Sequence, residues 1–424
     1  MSRQIGFWSV FALVIGSQVG SGVFMLPASL APFGIYSLAG WIVSAIGAVA
    51  LATVFASLCA RFPRTGGPHA YAEVAFGPSV AFFTGWTYWV ISWVSSAAVI
   101  VASIGYLTPL IGSHSAGVTV GLEILLLLSI TGINLKGVST AGRMEFVLTL
   151  MKVIPLLVIP IAALFYFDAS HLIVASEFQS LTVSEITAKA ALLTLWGFIG
   201  LECATTPAGS VENPTKTIPR AIIAGTLCVS VLYFINSLGI MGLFPSTELM
   251  NAKAPYVDAA QKLFGGRWHL IVSAMASIVC IGTLNAWVLS SGQIALGLSQ
   301  DGYLPKFFGI RNQSDAPAYS LMISAIGIIP LLILTANESL SRQITLIIDF
   351  SVTAFLYVYL LCAIGYLKIV VKQQTFLSLH SGLSIIAILF SGWVLYETSV
   401  QTLLIAALFT ISGVPLFLKY KRYF

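Results

Sequence analysis

Apolar residues run along this chain in stretches of about 20, long enough to cross a bilayer core as helices, and polar residues collect in short segments between them. Twelve spans are expected, near 5–30, 36–59, 79–110, 118–135, 144–166, 186–208, 220–244, 268–299, 318–335, 343–368, 379–394 and 400–418. Glycine breaks the first at Gly16-Ser-Gln-Val-Gly-Ser-Gly22 and the sixth at Gly197-Phe-Ile-Gly-Leu-Glu-Cys-Ala-Thr-Thr-Pro-Ala-Gly209. In hydrocarbon, a backbone that leaves the helix must find partners for its N–H and C=O groups, so a break at membrane depth implies a cavity lined by protein. Two such breaks, one in each half of the chain, point to a substrate site between discontinuous helices.

Composition agrees: 58% of residues are hydrophobic and 8% charged, against about 25% charged in a soluble domain. The expected class is an all-α polytopic membrane protein with one transport domain over residues 1–424, because the loops are too short to form separate domains. If spans 1 to 5 (about 5–166) and 6 to 10 (about 186–368) are repeats, their odd number inverts the second, and 379–418 is an appended pair. The first span carries no Ala-x-Ala cleavage site and reads as a retained helix.

The formal net charge of +5 records topology rather than nucleic-acid binding. With the N-terminus inside, Arg61, Arg64, Lys136, Arg143, Lys216, Arg220, Lys306, Arg311, Lys368 and Lys372 share its side, while Lys253, Lys262, Arg267 and Arg342 lie opposite. That bias predicts a cell-membrane protein with both termini cytoplasmic.

Several residues could carry chemistry. Amides freed between Gly16 and Gly22, with the positive end of the following half-helix, suit a carboxylate, and Ser17 and Ser21 add hydroxyls; close helix packing is the alternative use of such small residues. Glu202 lies in the second break beside Gly200, where a carboxylate is costly unless it meets a cavity, a partner or a proton. Lys152 falls near the midplane of span 5. It could replace a bound sodium ion, release a proton or pair with Glu202; otherwise it snorkels to the interface. Asp349, near the start of span 10, is either a helix-start anion or part of an outer vestibule. Among the many aromatics, Tyr88, Trp196 and Trp287 sit where a ring could hold a cation. No metal-ligand spacing links the five histidines, and there is no P-loop, so no metal, cofactor or ATP is expected.

Gly16 to Pro27, Gly66-Gly-Pro-His-Ala-Tyr-Ala-Glu-Val-Ala-Phe-Gly77, Thr194 to Ala204, Val211-Glu-Asn-Pro214 and Asp301-Gly-Tyr-Leu-Pro305 resemble the amino acid, polyamine and organocation superfamily, most closely its basic amino acid/polyamine antiporters. The resemblance implies a five-plus-five inverted-repeat fold, alternating access and frequent homodimers. It implies that Ser21 and Gly22 receive the substrate carboxylate and that carbonyls from Gly197 to Gly200 receive its amine. It further implies Trp196 as a middle gate, Tyr88 and Trp287 as gating or stacking rings, Glu202 as the charge- or pH-responsive group, and Ser96 and Ser351 near the substrate side chain. Ser17 stands where the arginine exchanger has asparagine, and His69 where it has a cytoplasmic tyrosine. The expected activity is exchange of a cationic amino acid for an amine. The rival readings are a proton-coupled permease of broader specificity using Lys152, and a receptor that binds amino acids without moving them.

Overall fold

The computed structural model describes residues 4–112, 115–252, 255–336, 340–373 and 379–420. The helices are α1 (Phe7–Gln18), α2 (Gly22–Leu30), α3 (Tyr36–Arg61), α4 (Pro68–Phe76), α5 (Pro78–Ile111), α6 (Ala116–Asn134), α7 (Val138–Leu164), α8 (Val183–Leu195), α9 (Pro214–Leu243), α10 (Ser246–Leu249), α11 (Pro255–Phe264), α12 (Trp268–Gln300), α13 (Ala318–Thr335), α14 (Leu340–Lys372), α15 (Leu379–Glu397), α16 (Val400–Ile411) and α17 (Val414–Tyr420). Among the described residues nine helices are long and apolar enough to cross a membrane, the bent pair α1–α2 makes a tenth, and two shorter apolar helices, Ala318–Leu334 and Ser381–Glu397, occupy the stretches expected as spans 9 and 11.

The first span bends by 43° between α1 and α2. The sixth changes character more completely. After α8 it continues as 3-10 turns at Trp196–Phe198, Cys203–Thr205 and Ala208–Ser210, with no α-helix below the break. The side chains explain this. The chain turns extended at Ile199 and Gly200 takes φ +104°, which keeps the helix from resuming, and Thr205 and Thr206 donate to the carbonyls of Glu202 and Cys203 three residues back, favouring the tighter turn.

Helices α5 and α12 pack against each other most extensively, followed by α3 and α9. Other neighbours come in matched sets: α1 on α9 with α8 on α3, α7 on α12 with α14 on α5, and α13 on α5 with α6 on α12. Each member of a set is its counterpart moved five spans along the chain. At the end of the bundle that carries the N-terminus, Ile5 forms a parallel bridge with Val211, and Gly66 N–H donates to the Thr206 carbonyl, so the last part of span 6 is tied to the start of span 1 and to the link after span 2.

Candidate substrate site between the two breaks

The first break is held from behind. Lys152, buried on α7, donates to the carbonyls of Gly16 (3.0 Å) and Val19 (3.4 Å) and approaches the Thr283 hydroxyl at 3.4 Å. Thr283 itself donates to Val19, and Tyr233 on α9 donates to the Gln18 carbonyl at 2.8 Å. Every bend carbonyl named here is therefore engaged by protein. Among the described residues the N–H groups of Gly20, Ser21 and Gly22 meet no acceptor. The break thus turns donors toward the interior.

Lys152 is compensated by Glu145 two turns earlier on α7, at 3.7 Å. Asn285 on α12 donates to the other Glu145 oxygen at 2.8 Å, and Thr149 donates at 3.3 Å. A buried ion pair survives only when further hydrogen bonds complete it, and both ions here have them.

The second break is arranged the opposite way. Among the described residues no donor reaches the carbonyls of Gly197, Phe198 and Ile199, whereas Gly200 N–H donates to the Tyr359 hydroxyl at 3.0 Å. The Gly200 carbonyl accepts from Ser17 at 2.8 Å, which joins the two breaks directly. Glu202 is fully buried and accepts a hydrogen bond from Tyr359 through Oε2; its Oε1 has no partner. Tyr88 lies alongside, its hydroxyl 3.9 Å from the Cys203 sulfur.

Between the breaks is a closed cavity with about 20 Å³ open to the centre of a water molecule. Ser17, Gln18 and Ser21 line it from span 1, Ser95 and Val99 from α5, Trp196 and Ile199 from span 6, and Thr283 and Trp287 from α12. The Ser21 and Ser95 hydroxyls and Gln18 Oε1 are buried without partners. Trp196 closes one side so tightly that a Cβ on Gly22 would sit 2.5 Å from its ring, so any larger residue there must displace the ring. On the other side Trp287 packs on Phe355, which touches Tyr88 and Tyr359. This aromatic layer separates the cavity from Glu202's end of the bundle. Farther down, Arg64 binds Glu73 and Asp301, and His69 binds Asp301 at 2.9 Å. The site is closed at both ends.

The model of the amino acid permease family matches residues 5–418. The chain belongs to that family. It is a polytopic membrane transporter and not an enzyme. The putrescine transporter PotE of Escherichia coli (strain K12) is 28% identical over 421 residues, 98% of this chain and 96% of the relative. PotE of Haemophilus influenzae is 30% identical over 429 residues, covering 99% and 98%. The cadaverine/lysine antiporter of E. coli K12 is 30% identical over 334 residues, covering 78% and 75%.

In this permease Ser17, Ser21, Trp196 and Trp287 line the cavity, with Gly22 and Gly200 at its edges. Four expectations need correction. Lys152 pairs with Glu145 and not Glu202, and it does not snorkel, because the bend carbonyls hold it. Ser96 does not reach the cavity: its hydroxyl donates to the Ser92 carbonyl, and Ser95, one residue earlier, points inward instead. Tyr88 belongs to the layer below the cavity. The Gly200 carbonyl is already taken by Ser17, which leaves residues 197–199 as acceptors. Ser351 is buried with an unpartnered hydroxyl but is not part of the cavity wall. The side chain of Asp349 lies outside the described residues. Glu145, Gln18, Ser95, Tyr233 and Tyr359 escaped the sequence reading. For Glu145 a signal existed, since a carboxylate seven residues before a buried lysine shares its helix face.

Proposed function

We propose that the protein is an antiporter that exchanges a cationic amino acid for an amine or polyamine by alternating access. The observation that carries this reading is the opposed polarity of the two breaks: among the described residues, unpartnered amides at Gly20 and Ser21 line the same small cavity as Ile199, whose carbonyl meets no donor. A carboxylate fits the first wall and an ammonium the second. The uncharged wall groups Gln18 Oε1, Ser21 and Ser95 orient the ligand, and Glu202, beneath Trp287 and Phe355, accepts the second cation of a diamine or basic side chain as the aromatic layer opens. The names and coverage of the relatives, a putrescine transporter and a cadaverine/lysine antiporter, support the same substrate class.

The paired helix contacts support an inverted repeat of spans 1 to 5 and 6 to 10, with Trp196 gating one side and the Trp287 layer the other. The end with Arg64, Lys136, Lys216 and Arg311 is cytoplasmic by its positive charge. In proteoliposomes, uptake of labelled putrescine, cadaverine or lysine should require unlabelled substrate inside. A second reading rests on Lys152, a titratable group at the bend carbonyls: a proton-coupled permease. Uptake into empty vesicles driven by a pH gradient alone would support that reading and overturn exchange.

A further inference from the structure

We propose that the groove between the start of α1 and the first turns of α9 is a binding site for an anionic phospholipid. Lys216 and Arg220 stand one turn apart on α9, both exposed, and neither is paired with a carboxylate among the described residues. Glu212, the acid nearest in sequence, sits beside Gly6 instead. Below the two cations, Ile223, Ala224 and Leu227 continue along α9 and, with Phe7 on α1, line a lateral groove of about 620 Å³. From Lys216 to Leu227 the helix rises roughly 16 Å, the distance from the headgroup region well into one leaflet's hydrocarbon.

Uncompensated cations at the rim of an apolar interhelical groove match a phosphate-bearing headgroup with an acyl chain beneath it. Two other grooves lack one half of that match. The groove of about 530 Å³ lined by α5, α14 and α16 has no charged residue in its wall, so hydrocarbon can fill it without headgroup preference. The pocket holding Lys136 and Arg143 is walled by Ser139, Thr140 and Gln313, which offer an acyl chain nothing. Of these three, the α1–α9 groove alone joins both features. Because α1 ends in the first break, a lipid seated there touches an element of the substrate site.

The test is titration of the full-length detergent-solubilised protein with phosphatidylglycerol, phosphatidylcholine and glycerol 3-phosphate, with bound lipid counted by native mass spectrometry. Phosphatidylglycerol should bind about tenfold or more tightly than phosphatidylcholine, and the Lys216→Gln/Arg220→Gln pair should weaken it roughly 25-fold, at about fivefold per cation. Ala224→Trp, which fills the groove and keeps both charges, should also lose the lipid. Lys136→Gln/Arg143→Gln should bind it as the parent does. Equal binding of the two lipids, or undiminished phosphatidylglycerol binding by the Lys216/Arg220 variant, overturns the site. Glycerol 3-phosphate binding as tightly as the lipid overturns it too, because the groove would then contribute nothing. If Ala224→Trp fails to fold, the charge variant and the two lipids still decide.

Discussion

The two broken spans use one device with opposite electrical settings. At the first, the charge is internal and balanced: Lys152 engages the bend carbonyls and Glu145 compensates Lys152. At the second, the charge is a carboxylate held by a tyrosine hydroxyl, with one oxygen unpartnered and, among the described residues, no cation against it. A balanced pair can fix a backbone shape through a transport cycle. An uncompensated carboxylate is the part that responds to a substrate's charge or a proton. The first break is therefore read as scaffold and donor wall, and the second as acceptor wall and charge sensor, with the Ser17–Gly200 hydrogen bond coupling them.

The largest effect expected from this division comes from Lys152→Ala. It leaves Glu145 buried without its cation, which costs about 3–5 kcal/mol, and frees the Gly16 carbonyl inside the protein, while Val19 keeps only Thr283. Thermal unfolding should show strong destabilisation, and exchange should be lost. Lys152→Ala combined with Glu145→Gln removes both charges and should restore folding but not exchange, because the bend is still without its ammonium. Wild-type exchange in the single variant would end the scaffold reading.

Next comes Glu202→Gln, which keeps an oxygen for the Tyr359 hydroxyl and removes the charge. A hydrogen bond to a charged group contributes about 1.5–3 kcal/mol, so putrescine and cadaverine affinity should fall on the order of 10- to 100-fold. Binding of neutral amino acids, measured by thermal shift on the same variant, should hardly change. If diamines and neutral amino acids weaken together, Glu202 serves structure rather than charge.

What could be read ahead of the structure follows from contrast. Glu202 and Lys152 stand out against apolar surroundings, and the glycine-rich segments at 16–22 and 197–209 mark places where the spans lose helical composition together with bulk. The partners were harder to see. Glu145 lies in the turns taken as the edge of span 5, because α7 begins at Val138, six residues before the expected start near 144. Ser95 and Ser96 are chemically identical and differ by 100° around α5, so only packing separates the cavity wall from a back-bonded hydroxyl. Tyr359 and Tyr233 are two of 15 tyrosines in a chain where rings are common. Their roles depend on contacts 157 and 215 residues away in sequence.

A smaller effect should come from Gly22→Ala, which tests the gate beside the donor wall. The added methyl meets Cδ1 and Nε1 of Trp196 at 2.5 and 2.7 Å, and overpacking of this kind costs about 1–3 kcal/mol. The ring must swing away from its closed position, so exchange should slow roughly 5- to 100-fold, while Gly22→Ala combined with Trp196→Leu regains part of the rate. A double variant no faster than the single one would place the defect in the bend backbone and not in the ring.

The smallest effect is expected at the far end, where Asp301 joins Arg64 and His69. Burial pushes the Asp301 carboxyl upward, but hydrogen bonds and charge from His69 and Arg64 outweigh it and leave it below the ordinary carboxylate value. A depressed carboxyl stabilises the closed end at every pH above the ordinary range and loses that contribution only as pH falls through the lowered value. Between pH 5 and 8 Asp301 stays ionised, so its own titration generates no pH response there. Asp301→Asn should therefore change the exchange rate by only about 1.5- to 5-fold, as befits a partly exposed ion pair, and by the same factor across that window. Rates measured at pH 5, 6.5 and 8 decide this: a ratio of variant to parent that changes with pH would move pH sensing from the second break to this end of the bundle.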